Sequence, residues 1–122
     1  MIIKYNTKEL DLLARIMRAE ALNEGNLGML MVGNVVINRA LANCLTFSNV
    51  RTISEVIYQR NQFSGKDAPL FQGRSTTTEK NLAKRVLNGE YYHPATNSLW
   101  FYAPPSGTNC KKFNRYNIEL DK

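Results

Sequence analysis

The sequence predicts an α+β domain that is mainly α, with several helices followed by a small β element near the C-terminus. Three observations carry this. Apolar residues recur at helical spacing through the first half of the chain. Two Thr-x-x-Glu patterns, at Thr52–Glu55 and Thr76–Glu79, mark further helix starts. An aromatic run, Ser98-Leu99-Trp100-Phe101-Tyr102, stands between Pro94 and the Pro104-Pro105 pair and reads as a strand. The 122 residues are 43% hydrophobic and 21% charged, which fits a single domain spanning 1–122 with one core. There is no repeat, low-complexity tract or linker.

The first helix takes Thr7 as its cap and runs to about Ala21. Leu10, Leu13, Ala14, Ile16, Met17 and Ala21 fall on one arc, with Asp11, Arg15 and Arg18 on the opposite side. Glu20 breaks the pattern, projecting between Ile16 and Leu13 inside the apolar arc. The second helix is expected from Leu27 to about Leu41, capped by Asn26. It is apolar nearly all round, as a central buried helix is. Gly28 and Gly33 lower its helix propensity, so close packing against a neighbour should compensate. Its main polar features are Asn34 and Asn38, four apart on one face, followed by Arg39. A short third helix opens at Thr52 and ends near Gln59, and a loop follows through Pro69 and Gly73. The fourth opens at Thr76 and runs to Asn88, with Gly89 as its stop.

The net charge of +6 favours polyanionic partners. The cations are spread along the chain, however, and read as a solvated surface that selects no function. A nucleic-acid-binding helix needs a basic stripe. The second helix carries only Arg39, so no nucleic-acid partner is expected. The most apolar stretch, Leu27 to Ile37, is too short to span a membrane. Met1 to Asn6 lacks the basic-then-apolar pattern of a secretory signal, so delivery outside the cytoplasm would use another route. Cys44 and Cys110 have no metal-ligand spacing and can pair or stay as free thiols. His93 is the single histidine, too little for a His-rich metal site or a Ser-His-Asp triad. No metal or organic cofactor is expected.

A carboxylic acid in apolar surroundings favours its neutral form, and a protonated acid can donate to the leaving oxygen of a glycosidic bond. Glu20 is placed for that role. The plainer alternative, favoured by the helical wheel alone, is a Glu20 paired with Arg39 or Asn38 for packing only. Glu24 would lie beside Glu20 if the helix continued, but Asn23, Gly25 and Asn26 argue that it has ended. Glu24 is thus either a second carboxylate or a loop-bonding residue. Phe63, Trp100, Phe101 and Tyr102 offer flat faces for sugar rings. On an alternating strand Trp100 and Tyr102 share one side. The alternative is that all four are core.

The segment Ala14 to Gly25, containing Glu20-Ala21-Leu22-Asn23-Glu24, resembles the Glu-Ala-x-x-Glu segment of the spore cortex-lytic hydrolases. These are bacterial cell wall hydrolases of the SleB/CwlJ type. Gly28 through Val35-Val36-Ile37-Asn38-Arg39 is similar to their second helix, Thr52 to Ile57 to their next short helix, and Gln62-Phe63-Ser64 to the following loop. Asn88-Gly89 and then Ser98 to Tyr102 resemble the closing segment, although Ala103 precedes Pro104 where the family often has Asn. The resemblance runs from about Leu12 to Phe113.

It implies a lysozyme-like fold related to the lytic transglycosylases. It also implies cleavage between N-acetylmuramic acid, or its δ-lactam in spore cortex, and N-acetylglucosamine. Glu20 is then the catalytic acid, Glu24 a possible second carboxylate, and Gln62, Phe63, Trp100 and Tyr102 substrate-binding residues of the cleft. The implied partner is the peptidoglycan glycan strand, met by a monomer. The implied setting is spore germination in coat and cortex, or the cell wall. A phage-encoded enzyme released from the host cytoplasm is the alternative. Two further readings stay open: a hydrolytic endolysin or lysozyme, and an inactive wall-binding module of the same fold.

Overall fold

A computed structural model of the chain describes residues 3–41, 52–58 and 69–92. Within them run α1 (Thr7–Ala21), α2 (Gly25–Leu41), α3 (Ile53–Tyr58) and α4 (Thr77–Leu87), with 3-10 turns at Leu22–Glu24 and Pro69–Phe71. The described residues are mainly helical and contain no strand. The expected β element at 98–102 lies outside them, as do Cys44, Cys110 and His93.

Two helix starts differ from expectation. Asn6, not Thr7, caps α1. Asn6 holds the extended backbone a cap requires, and its side chain accepts the Glu9 N–H at 2.8 Å. Thr7, already helical, is the first residue inside. The second helix begins at Gly25, so Asn26 lies within it rather than capping it. Gly25 has φ 76°, a left-handed conformation that glycine adopts without strain. The chain therefore reverses at one residue and α2 starts at once.

Both capping boxes form as the sequence predicts. The Glu55 N–H donates to Thr52 Oγ1 and the Thr52 N–H to Glu55 Oε1, both at 3.1 Å. Thr76 and Glu79 make the same reciprocal pair at the start of α4. Asn88 closes α4 through its N–H to the Lys84 carbonyl, and Gly89 at φ 94° ends it.

The core lies where α1, α2 and α4 meet, with α3 packed against α1 and α2. Almost every residue of α2 from Gly28 to Ala40 is buried, as a central helix requires. Gly33 marks the closest approach. A Cβ there would sit 2.8 Å from Val86 Cγ2 on α4 and 3.1 Å from Met17 Sδ on α1. The lost propensity of this glycine is thus offset by contact with both neighbours.

One side chain of α2 shapes the chain beyond α4. Asn34 is wholly buried. Its Nδ2 donates to the Glu90 carbonyl at 2.7 Å, and its Oδ1 accepts the Tyr92 N–H at 2.9 Å. The amide takes the place of a neighbouring strand and pins residues 90–92 onto the helix core.

Candidate active site

The last turn of α1 carries Glu20, which is 8% exposed. Its helical neighbours Leu13, Ile16 and Met17 are fully buried, so Glu20 does project from the apolar side as its spacing predicts. The α-helix ends immediately afterwards. Ala21 leaves helical geometry, a 3-10 turn takes Leu22–Glu24, and Gly25 reverses the chain. Glu24 therefore does not continue the row of Glu20. It is half-buried in the turn, with its Cβ against Gly28: a Cβ added at Gly28 would approach it to 2.3 Å. Gly28 thereby leaves room for the turn that carries Glu24.

The last turn of α2 carries a buried cation. Arg39 is 1% exposed. Burial pushes its guanidinium down to about 9, and the negative charge of Glu20 pulls in the opposite direction. Arg39 is still charged at neutral pH. Asn38, 1% exposed, is buried in the same stretch of α2.

The other carboxylates of the described residues are engaged in holding the fold. Glu9 accepts the Ser54 N–H at 3.1 Å and adds to the cap of α3. Glu55 and Glu79 complete the capping boxes, and Glu79 also takes Arg18 at 3.0 Å. Glu90 is tied to Arg85 at 3.1 Å and accepts from the Tyr92 hydroxyl. Asp11 accepts the Ser75 N–H at 2.9 Å and the Ser75 hydroxyl at 2.6 Å. Burial alone would raise the Asp11 carboxyl, but the Ser75 hydrogen bonds and the Arg15 charge outweigh it and hold the group below its ordinary 3.8.

The polar side of α1 holds the turn after residue 69. Arg15 Nε donates to the Phe71 carbonyl at 2.6 Å, and its guanidinium lies 4.4 Å from the Phe71 ring centre. Arg18 donates to the carbonyls of Gln72 at 3.0 Å and of Gly73 and Arg74 at 3.2 Å. Sequence reading missed this role, because a charge on the polar side of a wheel carries no sign of a partner more than fifty residues away. Gln62, Phe63, Trp100 and Tyr102 lie outside the described residues. Among the described residues, no group of three or more His, Cys, Asp or Glu is placed to hold a metal ion.

Residues 23–119 match the family described as Cell Wall Hydrolase. This chain is a member of that cell wall hydrolase family. The match begins just after Glu20 and includes Glu24. Three relatives carry the name cell wall hydrolase CwlJ. The one from Oceanobacillus iheyensis is 46% identical over 96% of this chain and 84% of its own length. That from Halalkalibacterium halodurans is 44% identical over 95% and 82%. That from Bacillus subtilis is 41% identical over 93% and 80%. No solved structure matches. As in any cell wall hydrolase, the substrate is peptidoglycan. No helix among the described residues is long and apolar enough to cross a membrane.

Proposed function

We propose that this cell wall hydrolase cleaves peptidoglycan glycan strands as a lytic transglycosylase, with Glu20 as its single acid and base. The scissile bond joins N-acetylmuramic acid, or muramic-δ-lactam, to N-acetylglucosamine. The observation that supports this reading is the burial of Glu20 at the end of α1, beside the fully buried Leu13, Ile16 and Met17.

In this mechanism protonated Glu20 gives its proton to the glycosidic oxygen as the bond to the anomeric carbon breaks. The ionised carboxylate then takes the proton of the muramic 6-hydroxyl, whose oxygen closes onto the anomeric carbon. The product is a 1,6-anhydro sugar, Glu20 is protonated again, and no water is consumed. A hydrolytic route needs a second carboxylate to act on water or on the sugar. Glu24, half-buried in the adjoining turn, is the described candidate for it.

Mass spectrometry of the released muropeptides separates the two routes. Anhydro ends, lighter by one water than the reducing ends of hydrolysis, are expected. Reducing ends alone would overturn the transglycosylase route and point to Glu24. The CwlJ relatives direct the assay to decoated spores first, with vegetative walls as the comparison. Loss of turbidity is expected in the spores, which places the enzyme in coat or cortex during germination. Faster loss in vegetative walls would reassign it to wall lysis, including lysis by a phage enzyme. A monomer, acting without cofactor, suffices for this chemistry.

A further inference from the structure

Glycine in a helix interior is less stable there than alanine, so one found there calls for a reason in its contacts. Inside α2 stand two, Gly28 and Gly33. Gly33 is explained by the core, where α1 and α4 both press on it. Gly28 is met instead by the turn that follows Glu20. A Cβ at Gly28 would overlap the Cβ of Glu24, and the Glu24 Cγ lies 3.4 Å from the same point. A Cβ is fixed to its own backbone, so no rotamer of Glu24 relieves that overlap. The Cβ of Ala21, on α1, stands 3.7 Å off, an ordinary contact. A side chain at 28 would therefore displace the turn Leu22–Glu24 and leave the end of α1, with Glu20, in place. The stem of Glu24 lies against α2, while Leu22, Asn23, Gly25, Asn26 and Leu27 around it are all exposed. Glu24 is half-buried, and among the described residues none donates a hydrogen bond to its carboxylate or pairs with it.

We infer that Glu24 binds the glycan strand beside the acid and that Gly28 is the positioning residue that seats it. This rests on the reading of Glu20 as the acid and deepens it by naming a substrate contact next to it. An ionised carboxylate is an acceptor alone, with room for several donors. A glycan strand offers donors of the matching kind, its sugar hydroxyls and N-acetyl amide N–H groups. Glu24 follows Glu20 by four residues, so its turn lies beside a strand whose glycosidic oxygen meets Glu20. On either side of Glu24, Leu22 and Leu27 are 40% and 52% exposed and present apolar surface to the faces of the rings. Glu24 exchanges no proton in this role, so the transglycosylase chemistry of Glu20 is unaltered.

The test measures kcat, KM and Tm, with purified peptidoglycan as substrate, for Glu24→Ala, Gly28→Ala, Glu24→Ala/Gly28→Ala and Glu24→Gly/Gly28→Ala. Glu24→Ala should raise KM roughly tenfold, the scale of a lost hydrogen bond to a charged group, with kcat kept. Gly28→Ala should raise KM to a similar degree and lower Tm. In the Glu24→Ala background it should raise KM no further, because the carboxylate it would misplace is gone. Glu24→Gly removes the Cβ that Gly28→Ala strikes, so Glu24→Gly/Gly28→Ala should regain Tm while KM stays high. A purely structural glycine would have the same effect on KM in every background. Wild-type KM in Glu24→Ala would overturn the inference. So would a loss of kcat at unchanged KM, which assigns Glu24 to the chemical step, or KM losses that multiply in the double alanine variant. Should Gly28→Ala fail to fold, a folded Glu24→Gly/Gly28→Ala chain supports the seat and an unfolded one overturns it. Glu20→Gln separates the two readings. Turnover lost there beside a wild-type KM in Glu24→Ala sinks this inference alone, whereas turnover retained in Glu20→Gln sinks the reading of Glu20 and this inference with it.

Discussion

On one side of α1, Asp11, Arg15 and Arg18 reach across to residues 71–75 and hold them through their backbone and Ser75. On the other side, Glu20 sits beside fully buried apolar residues. The first three residues bind main-chain groups and a neighbouring hydroxyl, and their work is finished when the chain has folded. Glu20 lies at the end of the helix among apolar side chains. The difference teaches that burial of charge is informative only after the structural uses of charge have been assigned.

The largest expected effect breaks the comparison at Glu20. Glu20→Gln keeps the shape of the side chain and removes its acid. Wall lysis should fall about 1000-fold, within the range for loss of a general acid, while the circular dichroism spectrum stays that of the wild type. Retained lysis would place Glu20 with the structural carboxylates.

Next comes Arg18. Arg18→Ala removes the donor shared by three carbonyls and Glu79. Hydrogen bonds to charged groups contribute about 1.5–3 kcal/mol, so Tm should fall by roughly 10 °C. The lysis rate well below the new Tm should match the wild type. A specific loss of rate would mean that the two sides of α1 are coupled.

The smallest effect is at Asp11. Its folded carboxyl titrates below the ordinary 3.8, so the unfolded chain binds the proton more readily. Its contribution to stability is fully present above about pH 3.8 and is lost as pH falls through the folded value. Asp11→Asn keeps an oxygen for Ser75 but removes this dependence. Urea midpoints at pH 6 and pH 3 should therefore differ less in the variant than in the wild type. Equal pH dependence would show that Asp11 carries no linked proton.

Periodicity and capping chemistry made much of this fold readable. The extent of α1, both Thr-x-x-Glu boxes, the central position of α2 and the burial of Glu20 all follow from local spacing. The misplaced starts at Asn6 and Gly25 came from adjacent residues with similar capping or turning ability, where one dihedral decides. The grip of Arg15 and Arg18 on residues 71–74, and of Asn34 on residues 90–92, was not readable. These are contacts between segments far apart in sequence, and a helical wheel records which way a side chain points but not what it meets. Glu20 itself was found by position, whereas its role was suggested by resemblance.

The two hydrogen bonds of Asn34 have an evolutionary consequence. They recognise peptide groups, not side chains. Position 90 can therefore hold any residue, and position 92 any except proline, which has no N–H to offer. One interior amide thus sets where the chain departs from α4, whatever side chains stand at the two positions it holds. The sequence of this stretch can therefore change without moving its point of attachment to the helical core.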